Sequence, residues 1–186
     1  MGFQSALQSF DQLVVRGTQK MPEKPALLTF LFHSVFRNFK DIEQDALDPQ
    51  QGFTLDHFRQ VIEHFQGAGY RFISPETIPE LKSSDRAVLL TFDDGYYNNA
   101  YILPLLEELK TPAVFYVATH HIQKNRSFWW DVIFREGRKR GRSPSEIYKV
   151  GSRLKNWPQT KIDQYLVKEF GEKALQPHSD LDRPFT

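Results

Sequence analysis

Four short apolar runs limit what this chain can fold into: Ala26–Phe32, Tyr70–Ile73, Ala87–Phe92 and Ala113–Ala118. Helical patterns lie between the first and second runs and between the third and fourth. Leu55, Phe58, Val61, Ile62 and Phe65 recur at helical spacing behind Thr54 as a cap, and Gly67 and Gly69 end the segment. A second helix holds Leu103, Leu105, Leu106 and Leu109, with Pro104 in its first turn or kinking it, and stops at Thr111-Pro112. Strands alternating with helices predict an α/β domain built on a parallel sheet. Near-continuous apolar runs such as Ala26–Phe32 predict strands buried on both faces. The charged stretch Arg37–Gly52, with Pro49 inside it, reads as a loop.

Both flanks of this core differ from it. Phe3, Ala6, Leu7, Phe10, Leu13 and Val14 predict an amphipathic helix over residues 3–16 that packs on the body of the protein. Its polar face carries Gln, Ser and Asp, where a membrane-surface helix would carry Lys or Arg. After Thr119 the strand pattern stops. Helices are predicted near 130–138, 144–154 and 159–170, and all three Trp lie in this part. The charge changes as well: residues 1–118 hold 10 Lys/Arg against 15 Asp/Glu, whereas the whole chain holds 24 against 23. The expected organisation is an N-terminal helix in 1–24, an α/β portion in 25–120 and a helical insertion or lid in 121–186.

Absences narrow the chemistry. The chain has no Cys, which excludes disulfides, thiol catalysis and zinc ribbons, so a metal could be held only by His, Asp or Glu. No apolar run nears the ~20 residues of a membrane helix. No signal peptide is recognisable at the N-terminus, so a cytoplasmic location is expected. The near-neutral charge and single basic run, Arg138–Arg142, argue against nucleic acid as a partner. Within the tail, Trp129, Trp130 and Ile133 are expected to face the sheet domain. Arg135 and Arg138–Arg142 are expected in solvent, because burying unpaired cations is prohibitive.

The strongest local signal is Thr91-Phe92-Asp93-Asp94-Gly95 at the end of the third run. Active sites of parallel α/β folds gather at the C-terminal ends of strands. Adjacent carboxylates there repel, and a cation would relieve the cost. Neighbouring side chains diverge, so one could bind a metal while the other faces a reacting water. A solvated Asp-Asp-Gly turn is the competing reading. An aspartate phosphatase would need a carboxylate where Gly95 stands.

Leu90-Thr91-Phe92-Asp93-Asp94-Gly95-Tyr96 resembles the first motif of the polysaccharide deacetylases, carbohydrate esterase family four. Asn99-Ala100 through Leu106, Thr111–Val117, Phe32-His33-Ser34-Val35 and Phe58–Ser74 extend the likeness over roughly residues 26–120. The resemblance implies a partial (β/α) barrel with a helical insertion at its C-terminal end. It further implies hydrolysis of N-acetyl or O-acetyl groups on a carbohydrate substrate, aided by a divalent metal, commonly zinc. By motif position Asp93 would be the general base and Asp94 a metal ligand. His33, Tyr96 and His120 are the expected substrate-pocket positions. For His33, a histidine satisfied by loop backbone and a direct ligand remain competing readings.

The family completes its metal site with a His-Ser/Thr-x-x-His motif, and no two of the six histidines here are four apart. His57 and His64 are seven apart on one helix, a rise of ~10 Å, too far to share an ion. Arg183-Pro184-Phe185 matches the family's Arg-x-Pro-Tyr motif poorly. A full (β/α) barrel usually needs ~200 residues or more, so this chain reads as the N-terminal part of a longer enzyme, weak in zinc binding by itself. The alternative is a non-catalytic glycan-binding or scaffold protein that keeps the fold.

Overall fold

The computed structural model describes residues 25–185, so the helix expected over 3–16 lies outside the described residues. Strand β1 (Ala26–Phe32) pairs in parallel with β3 (Arg86–Phe92) along its whole length, from Ala26 opposite Arg86 to Phe32 opposite Phe92. Two short strands also pair in parallel with β3. β2 (Arg71–Phe72) meets Ala87 and Val88, and β4 (Val114–Phe115) meets Thr91 and Phe92. With one edge of β3 taken by β1, β2 and β4 divide the other between them. The sheet is thus centred on β3, in the order β1-β3-β2 with β4 beside β3, and the expected barrel is present only in part.

Burial follows from that arrangement. Ala87–Phe92 of β3 are all buried. On β1, Leu27, Thr29 and Leu31 are exposed while the residues between them are half-buried, so the expectation of burial on both faces fails there. The other face packs on helix α2 (Leu55–Gly67), which follows a short helix α1 (Phe39–Ile42) inside the expected loop. Thr54 caps α2 reciprocally: its hydroxyl accepts the His57 amide (3.4 Å), and His57 Nδ1 accepts the Thr54 amide (3.3 Å). Phe32, Phe58, Phe65, Val88, Leu90 and Phe92 form the centre of this core. Phe32 and Phe58 meet at 4.7 Å, and each buried large side chain is worth ~1.5–3 kcal/mol.

From β3 the chain runs through a 3₁₀ segment (Tyr97–Ile102) into α3 (Leu103–Glu108), β4 and α4 (Thr119–Lys124). Helices α5 (Trp129–Lys139), α6 (Pro144–Leu154) and α7 (Gln159–Phe170) come next. Val132, Ile133, Ile147, Leu154, Ile162 and Leu166 give these helices an apolar cluster of their own, against which Trp129 packs. The expectation that Trp129, Trp130 and Ile133 all face the sheet therefore holds only for Trp130. Positions 129 and 133 are four apart and share the face turned to the other helices.

Within the basic run Arg138, Lys139 and Arg140 are exposed, as expected, but paired, with Asp45 (3.1 Å), Glu136 (2.8 Å) and Glu169 (2.8 Å) respectively, while Arg142 is half-buried on Glu169 (3.1 Å). Arg135 departs from the expectation. It is 2% exposed and held by Asp182, the Ser127 hydroxyl and the Ala174 carbonyl. A cation can be buried where a carboxylate and carbonyls receive its donors. Among the described residues no helix is long and apolar enough to cross a membrane.

Candidate functional site

The Asp93-Asp94-Gly95 turn is fixed by the strands on both sides of β3. The Asp93 amide donates to the Phe32 carbonyl (2.8 Å), continuing the ladder with β1. On the other side the Tyr116 amide donates to the Phe92 carbonyl (2.8 Å) and the Ala118 amide to the Asp94 carbonyl (3.1 Å). Asp94 has φ 70° and Gly95 φ 75°, so two successive residues adopt the left-handed region and reverse the chain within the turn. Gly95 is required twice over, since a Cβ there would lie 2.9 Å from Val117 Cγ1.

Asp93 and Asp94 are both half-buried at this strand end, as is His33 at the end of β1. Burial pushes the Asp94 carboxyl above its ordinary range, His33 acts in the opposite direction, and the charge of Asp93 adds to the rise. A cation at Asp94 would reverse that cost. His33 Nδ1 is shielded from solvent and finds no hydrogen-bond partner among the described residues. The His33 carbonyl accepts from Asn99 Nδ2 (2.7 Å), which fixes the backbone beneath the ring. Asn98, fully buried, accepts the Val35 amide (3.0 Å) and donates to the Leu181 carbonyl (2.8 Å). The turn and the end of β1 are thereby tied together by two asparagines.

Tyr96 and His120 do not join this group. Tyr96 is fully buried rather than lining a pocket. Its hydroxyl donates to Asp131 Oδ2 (2.6 Å) and accepts from Trp130 Nε1 (2.7 Å). His120 is exposed on α4 and lines a cavity with His121, Lys124, Trp129 and Asp163, whose lining contains neither Asp93 nor Asp94. The strand expected to reach Ala118 ends at Phe115, and the helix that starts at Thr119 carries His120 away.

The segment discounted in the sequence does reach the turn. Tyr96 and Pro184 form an antiparallel bridge, with the Tyr97 amide on the Arg183 carbonyl (2.9 Å) and the Phe185 amide on the Gly95 carbonyl (2.8 Å). The Arg183 guanidinium sits over the Tyr97 ring at 3.5 Å. No pattern local to residues 181–185 signals this contact.

As for a metal, no three His, Asp or Glu side chains gather closely enough to hold one among the described residues. Asp94, with Asp93 and His33 nearby, offers a partial donor set that does not by itself fit a zinc ion, which takes four ligands.

Residues 80–161 match the family model of the polysaccharide deacetylases. A search of curated proteins gives no match. Among solved structures the chain is similar to the Streptococcus pyogenes deacetylase PplD in complex with acetate, at 25% identity, 52% of this chain and 43% of that one, with a TM-score of 0.35. The match therefore spans less than half of that protein's length.

Proposed function

We propose that this protein removes acetyl groups from a carbohydrate, a reading that starts from the match of residues 80–161 to the family model of the polysaccharide deacetylases. The observation that carries this reading is the pair of half-buried carboxylates, Asp93 and Asp94, on a tightly fixed turn at the end of the central strand. In the proposed reaction Asp93 accepts a proton from water as the water oxygen bonds to the acetyl carbonyl carbon. The carbon–nitrogen bond (or carbon–oxygen bond of an ester) then breaks. Acetate leaves, and the sugar amine or hydroxyl takes up a proton. Asp94 is assigned as one ligand of a divalent ion that would polarise the carbonyl. The described residues do not complete that ion's ligand set, so no step is derived through it. His33, half-buried at the end of β1, is assigned to the wall of the substrate site.

The test is acetate release from N-acetylglucosamine oligomers by the 186-residue chain, with and without added zinc. Slow release that Asp93→Asn abolishes is the expected result. Oligomer binding without any release would favour the glycan-binding alternative, and neither binding nor release would sink both.

A further inference from the structure

We propose that Asp131 and Trp130 are positioning residues for the Asp93-Asp94 turn, acting on it through the hydroxyl of Tyr96. The inference deepens the reading above and depends on that turn being the reacting site. A left-handed backbone at a non-glycine residue costs free energy and persists where its surroundings over-determine it. Asp94 is such a residue, and Gly95 repeats the conformation. The backbone constraints come from Ala118 on the Asp94 carbonyl and from Phe185 on the Gly95 carbonyl.

The side-chain constraint is Tyr96, one residue further on. Its ring lies 4.5 Å from that of Phe128, which itself stacks on Trp130 at 5.0 Å. Its hydroxyl is used as donor toward Asp131 and as acceptor toward Trp130, so the oxygen is fixed from two directions. Asp131 is anchored in turn, because its second oxygen accepts the Asp48 amide (3.1 Å). These partners are a hydroxyl and a backbone amide, neither of them a cation. Burying a carboxyl group without a cation is costly, and packing alone would be served by an apolar side chain. The arrangement makes α5 a brace on the turn: its first residues hold the loop that carries both carboxylates.

Amide hydrogen exchange on the full chain tests this with two conservative variants. Tyr96→Phe keeps the ring and loses the hydroxyl, while Asp131→Asn keeps the shape and one acceptor oxygen. In Tyr96→Phe the Tyr97 and Ala118 amides, which bond across the turn, should exchange about tenfold faster while β3 amides keep their rates. Asp131→Asn should give a smaller increase at the same amides. In the acetate assay kcat should fall with KM unchanged. A general loss of stability would instead raise exchange at β3 in step with the turn. That result, or unchanged exchange at 97 and 118, overturns the proposal. If the unsubstituted protein releases no acetate, the deacetylase reading fails, and the exchange comparison, with Trp130→Phe added to remove the indole donor, still decides whether Asp131 and Trp130 hold the turn.

Discussion

Replacing Asp182 by Asn should be among the costliest single changes in the helical part of the molecule. Asp182 is fully buried, and the Arg135 guanidinium it faces is nearly so. Its carboxylate also accepts the Ser127 hydroxyl (2.9 Å) and the His178 and Ser179 amides (3.0 and 2.8 Å). The amide of Asn keeps one oxygen for these donors and turns an NH₂ toward the rest. More importantly, it removes the fully buried counter-ion of Arg135 and leaves only Glu136, on Nε at 3.2 Å. Removing one partner of such a pair costs ~3–5 kcal/mol. For a chain of this size each kcal/mol lowers Tm by about 2–4 °C, so a fall of roughly 6–20 °C is expected. Urea denaturation followed by circular dichroism would give the free energy directly. Adding Arg135→Met to the Asn variant removes the stranded cation and should recover at least about half of the loss, a non-additivity that a double-mutant cycle reads. A cost below ~1 kcal/mol for the single change, or simple additivity in the double, would refute the argument.

Gly95→Ala should cost more than Gly141→Ala. Both glycines have φ above 70°, but only Gly95 would bring its new Cβ to 2.9 Å from Val117, whereas nothing lies within 4 Å at Gly141. The left-handed backbone accounts for ~1–2 kcal/mol in each, so equal urea midpoints for the two would disprove the clash. Asp94, whose carboxyl is raised mainly by burial, holds its proton more tightly folded than unfolded. Its contribution to stability is complete below the unfolded pKa of ~3.9 and is lost as pH rises through the raised folded value. Asp94→Asn should flatten that decline in urea midpoints measured from pH ~4 to ~7, and an unchanged slope would assign the decline to another group. Ser143 and Glu146 cap α6 reciprocally. Ser143→Ala should therefore lower stability by ~1 kcal/mol, and no change in thermal midpoint would show that the cap contributes nothing.

The elements readable from sequence were those whose own periodicity defines them. β1 matches its apolar run from Ala26 to Phe32, and α6 and α7 match the helical patterns at 144–154 and 159–170. β2 and β4 shrink to two residues each because a strand extends only as far as its partner, and both must share one edge of β3. The exposure of Leu27 and Leu31 likewise depends on what covers the sheet, which an apolar run does not reveal. At the site, Asp93 and Asp94 could be singled out because a strong strand ran into them. The bond from Tyr96 to Asp131 joins residues 35 apart in the chain, and nothing beside either one marks the other as its partner. Arg135 was hidden among neighbouring cations that do face solvent, and only the return of Asp182 from the far end of the helices distinguishes it.

The path of the chain around the turn has an architectural consequence. It departs after Ala118, whose amide is bonded to the Asp94 carbonyl, and comes back at Phe185, whose amide is bonded to the Gly95 carbonyl. Exit and re-entry thus lie at adjacent residues of one turn, which makes everything between them a cassette with its two ends already fastened together. A short linker spliced between those points would have little distance to span, and the entropy of closing a loop changes only slowly with its length. The exchange would leave the backbone fastenings intact and strip Tyr96 of both its side-chain partners. Cassettes that supply an acceptor and a donor to that hydroxyl are therefore the ones this turn would accept.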